Sequence, residues 1–288
     1  MPQIPPSLAA LGYVPLEELS NKRCLMIGVE GETNTGKNEF AFSAPGPIGV
    51  LQLDRNIDGV AHNPKPPETR SKDGIYLKLI TTLGNIGTKG QAPPELKKAY
   101  LDDWNHFYAE HKKILAIPEL ATVVYDGASD DWEIQRLAEF GTLSQIPSIL
   151  YDSANASRKK MIRDMYDSGK NIIATHKVTD VYEDVKDAQG NPVMNERGKT
   201  KQAKTGEYRR QGFHDTKYLF QIQLRMLKKD AYFNETLKRQ MPLKFGCKIL
   251  ECKPRQELKG EELWGDECNF AGLVSLIWPD VPLEEWGL

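Results

Sequence analysis

Seven residues, Gly31-Glu32-Thr33-Asn34-Thr35-Gly36-Lys37, carry the spacing G-x-x-x-x-G-K. Two glycines let a backbone close tightly around an anion, successive N–H groups and a following helix N-terminus supply partial positive charge, and a lysine reaches toward phosphate oxygens. That is the chemistry of a phosphate-binding loop, and it makes Gly31 through Asn38 the candidate nucleotide-binding residues. One position departs from the pattern. The residue after the lysine is expected to be Ser or Thr, whose hydroxyl holds Mg²⁺, and here it is Asn38. An amide oxygen can coordinate Mg²⁺ but lies farther from its own backbone, so the spacing supports nucleotide binding better than fast hydrolysis.

Other residues fit the same chemistry. The stretch Ala121-Thr122-Val123-Val124-Tyr125-Asp126 is an apolar run closed by an acid, the pattern of a carboxylate that positions Mg²⁺ beside a bound triphosphate. Asp126 and Asn38 are therefore the metal-side candidates. Asn171-Ile172-Ile173-Ala174-Thr175-His176 is a second apolar run with a polar end, and His176 is placed either to sense a γ-phosphate or to make a structural hydrogen bond. Downstream, Arg197, Lys199, Lys201, Lys204, Arg209 and Arg210 face a single acid, Glu207, which suits tracking of a phosphate backbone with salt-dependent affinity. Tyr208 offers one stacking surface. Lys253 and Arg255, at the end of a strand-like run, form a candidate anion clamp.

The elements that must carry these groups read as alternating strands and helices. Cys24 to Val29 predicts a buried strand into the glycine loop, and Ile48 to Asp54 a second strand with Asp54 at its carboxyl end, where parallel sheets place their active sites. Pro45-Gly46-Pro47 ends the helix between them. A strand is expected over Ile75–Ile80 and a helix over about 94–114, with Tyr100, Trp104, Phe107 and Tyr108 as a core stripe. A helical region spans Asp131 to Ser168, interrupted at Pro147. Asp130 and Asp131, in the loop after the Asp126 strand, read as helix-capping acids, and Arg158, Lys159, Lys160 and Arg163 in the region's second half as a solvated face. Gly190-Asn191-Pro192 predicts a turn joining strands over Val178–Val185 and Val193–Asn195. Tyr218–Arg225 and Leu243–Cys252 are expected to form an antiparallel pair, and Asn269 to cap a last helix.

At 288 residues, with 40% apolar and 27% charged positions, the chain can bury a sizeable core. Its net charge of −2 excludes a globally basic nucleic-acid binder, so any such binding must use a local patch. Cys24, Cys247, Cys252 and Cys268 lack metal-ligand spacing and read as reduced thiols. No run is long enough to span a membrane, and Pro2, Pro5 and Pro6 interrupt any signal-peptide pattern, so a cytoplasmic location is expected.

The order of these parts resembles the RecA-type recombinase core, and looks closest to short phage-encoded RecA-like ATPases of single-strand annealing and recombination. The phrases that carry the likeness are GETNTGKNEFAFSAPGPIGVLQLDRN, TVVYDGASDDWE, NIIATHKV and KILECKPRQELKGE, and it covers about residues 22–260. It implies an α/β P-loop NTPase fold: a mostly parallel central sheet, helices on both faces and antiparallel C-terminal strands. Residues 1–21 are then an extension, 60–94 a loop-rich insertion, 177–211 a basic DNA-binding loop and 261–288 a helical tail. Gly31, Gly36 and Lys37 would bind the phosphates of ATP, with Asn38 and Asp126 toward Mg²⁺. His176 would couple the γ-phosphate to the loop. Lys253 and Arg255 would reach a neighbour's ATP across a homo-oligomer interface. The family's general base falls on Asn56, which cannot take a proton from water; Asp54 and Asp58 do not match its position. The leading expectation is a DNA-dependent ATPase that binds single-stranded DNA and promotes annealing or strand exchange. The alternative is a nucleotide-binding scaffold with weak or no turnover, partnered with replication or recombination proteins such as a single-strand-binding protein. A small-molecule kinase and a hexameric helicase lack the lid and the accessory domain that each would need.

Overall fold

The computed structural model describes residues 6–10, 24–53, 68–83, 90–144, 146–187, 189–195, 198–234 and 238–288. Asp54, Asn56, Asp58, Arg197 and most of the N-terminal extension lie outside the described residues, as does much of the expected 60–94 insertion. Within the extension, α1 covers Pro6–Ala10.

Each apolar run becomes a strand where expected: β1 (Met26–Glu30), β2 (Ile48–Gln52), β3 (Ile75–Leu79), β4 (Thr122–Asp126) and β5 (Asn171–His176). β1, β2, β4 and β5 are buried at every position, which explains why they read as continuous apolar runs rather than alternating ones. Further strands follow: β6 (Val178–Asp184), β7 (Gln202–Arg210), β8 (Ile222–Lys229), β9 (Tyr232–Asn234), β10 (Arg239–Met241), β11 (Lys244–Cys252) and β12 (Glu262–Trp264). Among the described residues, eight of these form one sheet in the order β12-β11-β8-β1-β5-β4-β2-β3. From β8 to β3 all neighbours are parallel, while β11 runs antiparallel to β8 and β12 antiparallel to β11. The chain is thus an α/β protein with a mostly parallel sheet and antiparallel C-terminal strands.

Side chains alternate between the two faces of this sheet. Val29, Val124 and Ile173 join a core with α2 (Lys37–Phe42) and α7 (Phe270–Ile277). Val123, Tyr125, Ile172 and Ala174 join a second core with α3 (Pro94–Leu115), α4 (Ala128–Phe140) and α5 (Asp152–Asp167). Tyr100, Trp104 and Phe107 are buried there, as the helical stripe predicts. Asn269 caps α7 by accepting from Gly272 N at 2.8 Å. The segment after residue 260 is not helical throughout: β12 completes the sheet edge, and Phe270, Leu273 and Val274 of α7 are fully buried.

Three local expectations are corrected. The strand read from Tyr218 begins later, because Thr216–Leu219 forms a short helix, α6, and β8 starts at Ile222. Arg158 is not on a solvated face. Helical spacing aligns it with Ala154, Met161, Ile162 and Met165, and it makes a buried ion pair with Asp131 at 2.8 Å. Asp131 is consequently no cap; Gly127 precedes the first turn of α4. Finally, residues 177–211 form a twisted ribbon rather than an open loop. β6 pairs antiparallel with β7; the expected turn holds at the ribbon's tip, where Val193 N donates to the Val185 carbonyl at 2.8 Å and Lys186 bridges Pro192, but 193–195 continue against 199–201 rather than along β6. Across the ribbon Asp180 of β6 pairs with Lys204 of β7 at 2.7 Å, and Asp184 accepts from Gln202 Nε2 at 3.2 Å.

Candidate functional site

Parallel pairing brings the carboxyl ends of four strands to one edge. Glu30 of β1 lies opposite His176 of β5, and Gln52 of β2 opposite Asp126 of β4. The glycine loop leaves β1 at this edge, tied down by Gly31 N donating to the His176 carbonyl at 3.3 Å. A Cβ on Gly31 would come within 2.7 Å of Thr35 Oγ1 and 3.1 Å of Met226 Cβ, so only glycine leaves the loop room to close. Asn34 and Gly36 both adopt left-handed backbone, with φ of 60° and 90°. Left-handed residues alternating with right-handed ones turn successive N–H groups toward one concave side. Thr35 Oγ1 donates to the Glu32 carbonyl at 2.8 Å and braces the turn. Lys37 spans the loop, its Nζ donating to the carbonyls of Gly31 at 3.0 Å and Glu32 at 2.7 Å.

The loop walls a cleft of about 240 Å³, which Gly31 through Glu39 line together with Asp126, Thr175 and His176. The structure therefore brings together every described nucleotide-site residue read from the sequence except Lys253 and Arg255. Asp126 is buried and accepts from Thr175 Oγ1 at 2.8 Å, while that hydroxyl accepts from Gly127 N at 3.0 Å. Thr175 thus fixes the carboxylate and the turn after it. His176 is 1% exposed. Burial holds its imidazole well below the usual histidine range, nearby Arg210 and Arg158 push in the same direction, and the Gln211 backbone only partly offsets them. The ring is neutral, and neither nitrogen has a hydrogen-bond partner of normal geometry among the described residues.

The ribbon is bolted to this edge at its base. Ser129 Oγ donates to the Gln211 carbonyl and accepts from Lys177 N, both at 3.0 Å, and Lys177 Nζ pairs with Asp130 at 2.9 Å. Tyr208 of β7 faces the loop, where the nearby Glu32 carboxylate raises the phenol's pKa. Arg225 of β8 pairs with the buried Glu30, through Nε at 2.9 Å, and donates through Nη2 to the Tyr208 carbonyl at 3.0 Å. None of Thr175, Tyr208 or Arg225 carries a spacing signal for these roles; the Glu30–Arg225 contact spans 195 positions.

Of the ribbon cations, Lys199, Lys201 and Arg209 are exposed, Lys204 is held by Asp180, and Arg210 turns inward to donate to Gln223 Oε1 at 2.5 Å. Lys253 and Arg255 lie at the opposite edge of the sheet, because β11 is antiparallel and Cys252 is level with Ile222, at the start of β8. Lys253 Nζ donates to the Tyr218 carbonyl at 2.5 Å, and Arg255 to Glu257 at 2.8 Å and to the Leu276 carbonyl at 3.3 Å, near the C-terminus of α7. No helix among the described residues is long and apolar enough to cross a membrane. Compared with known proteins, the chain matches no protein-family model and none of the curated proteins.

Proposed function

We propose that the chain binds ATP with Mg²⁺ in the loop cleft and single-stranded DNA on the ribbon, as a RecA-type ATPase of recombination. The observation that carries this reading is the shared wall of the cleft: a closed glycine loop, Lys37 and the buried Asp126 meet at one strand edge, with Val178 and Gln211 of the ribbon's base in the same lining. The residues fit the group. A backbone cradle that a Cβ on Gly31 would fill suits phosphate oxygens, and a buried carboxylate with an amide, Asn38, across the same cleft suits a divalent cation. Bound Mg²⁺-ATP supplies a transferable γ-phosphoryl group. The chain's part is to orient it: the loop N–H groups and Lys37 hold phosphates, Thr175 fixes Asp126, and neutral His176 offers a proton donor or acceptor toward the ribbon. Lys253 and Arg255 are too far round the sheet to serve their own cleft, so their role toward nucleotide requires a neighbouring copy.

The test is ATP turnover by the purified chain with and without single-stranded DNA. Turnover stimulated by DNA and abolished by Lys37→Ala is the expected result. Losing one charge-assisted contact set should also weaken ATP binding by about ten- to hundredfold. Asn38, lining the cleft in place of a hydroxyl, favours the second reading, a nucleotide-binding scaffold. ATP bound but not turned over in either condition would select it. No ATP binding at all would overturn both.

A further inference from the structure

A second and larger cleft, about 750 Å³, opens on the other side of the ribbon's base, between β7, β8 and α4. Its lining is cationic and partly aromatic, with Arg209, Arg210 and Lys217 beside Tyr208, Trp132 and Phe213. Its wall also carries three acids: Glu30, held by Arg225, Glu251, held by Lys259 at 2.6 Å, and Glu133 of α4. Two groups in the wall lack their natural partners. Arg210 is half-buried, and among the described residues no carboxylate lies within ion-pair distance of it. Gln223 is 3% exposed. Because Arg210 can only donate, the Gln223 oxygen must face it, and the amide nitrogen is left buried with no acceptor. The carboxylate nearest in effect to Arg210, Glu30, is committed to Arg225, and a guanidinium with no ion pair of its own beside an orphaned amide donor is an arrangement that an incoming anion completes.

We infer that this cleft takes a phosphate of a single-stranded polynucleotide on Arg210 and Gln223, with the adjoining base against the aromatic part of its wall. The inference rests on the reading of the ribbon as a single-strand-binding arm, and it places the strand at the ribbon's base rather than along its exposed tip. A nucleic acid is favoured over an acidic peptide because the exposed cations Lys199, Lys201 and Arg209 continue from the cleft along the ribbon, and because the size suits a whole nucleotide unit.

The experiment is anisotropy of a labelled oligothymidylate titrated with the full chain at several salt concentrations. Gln223→Glu keeps the side chain's size and gives Arg210 the carboxylate it lacks. It should lower affinity by about tenfold or more and reduce the salt slope by about 0.7, the loss of one phosphate contact on a single strand. Arg210→Gln should do the same, and an unchanged melting curve for Gln223→Glu shows that the fold survives. Lys199→Gln, at the tip, should have a smaller effect. If the natural chain binds no oligothymidylate, the ribbon reading fails and this inference with it. If it binds and Gln223→Glu binds equally well, this inference alone is overturned. Equal displacement by an oligoglutamate of matching charge would overturn it in favour of an acidic-peptide site.

Discussion

Thr175 is the residue on which the order of the candidate site rests most directly. Its one hydroxyl donates to Asp126 and accepts from Gly127 N, so it fixes a carboxylate and the backbone entering α4 together. Thr175→Val preserves shape and β-branching but removes both bonds. We expect a loss of about 1–3 kcal/mol in stability by urea denaturation, the cost of stranding a buried polar group. ATP affinity should fall with it, because Asp126 loses its orientation; unchanged stability and affinity would show that the hydroxyl is dispensable. Thr175 was visible in the sequence only as part of a polar strand end. Its role depends on β5 lying directly beside β4, which no local pattern states.

At the scale of elements, α3, β4 and α5 enclose a buried polar group whose titration can be followed. His111 of α3 is fully buried, its Nδ1 2.7 Å from the Tyr125 hydroxyl of β4. Burial pushes its pKa down to about 4, despite the raising effect of Asp164. The unfolded chain protonates this group near its ordinary value of 6.5, so between 6.5 and about 4 the unfolded state binds more protons and His111 makes stability fall as pH falls. Asp131 acts in the opposite sense. Burial raises it to about 6 despite Arg158, so from its ordinary 3.8 up to about 6 the folded state holds the extra proton. The two partly cancel in the natural chain. The difference between it and His111→Gln isolates the imidazole: the variant should lose less stability on acidification, by about 1 kcal/mol per pH unit at most across that window. Parallel melting curves at every pH would refute this.

The same scale shows what the sequence made legible. β1, β2, β4 and β5 were readable because strands buried on both faces are unbroken apolar runs, and the loop because its glycines answer a local geometric demand. In the ribbon, the strand from Val178 and the turn at Gly190-Asn191-Pro192 were legible, but two strands exposed to water have no strong periodicity to show that β6 pairs with β7. Arg158 was misread because a cation in a basic run gives no sign that an acid 27 positions earlier will meet it inside. Glu30–Arg225 arises from register between distant strands, and Arg210–Gln223 from the ribbon's seat against the main sheet, neither of which anything local announces.

For the whole molecule, the pairings that matter tie the strand edge beneath the loop to the ribbon: Arg225 of β8 to both Glu30 and the Tyr208 carbonyl, and Lys177 at the ribbon's base to Asp130 of α4. On the proposed function, occupants of the loop cleft and of the ribbon act on one connected set of contacts, so each should change affinity for the other by the same factor. Limited proteolysis within residues 185–201 should slow most when DNA and nucleotide are present together, and less with either alone. Equal cleavage in all four conditions would sink the coupling.

The polarity of the sheet bears on assembly. The loop opens at the carboxyl edge of the parallel strands, and Lys253 and Arg255 emerge at the amino edge. A copy lending those cations to a neighbour's cleft presents one end while receiving at the other. Where copies meet end to end, that contact is head-to-tail, and head-to-tail contacts either close into a ring or run on as a filament. An open filament of this kind has distinguishable ends, one with an open cleft and one with unused cations. A chain altered at Lys253 and Arg255 could still be added at one end but not extended from there, so a small fraction of it would act as a terminator and shorten every array it joined.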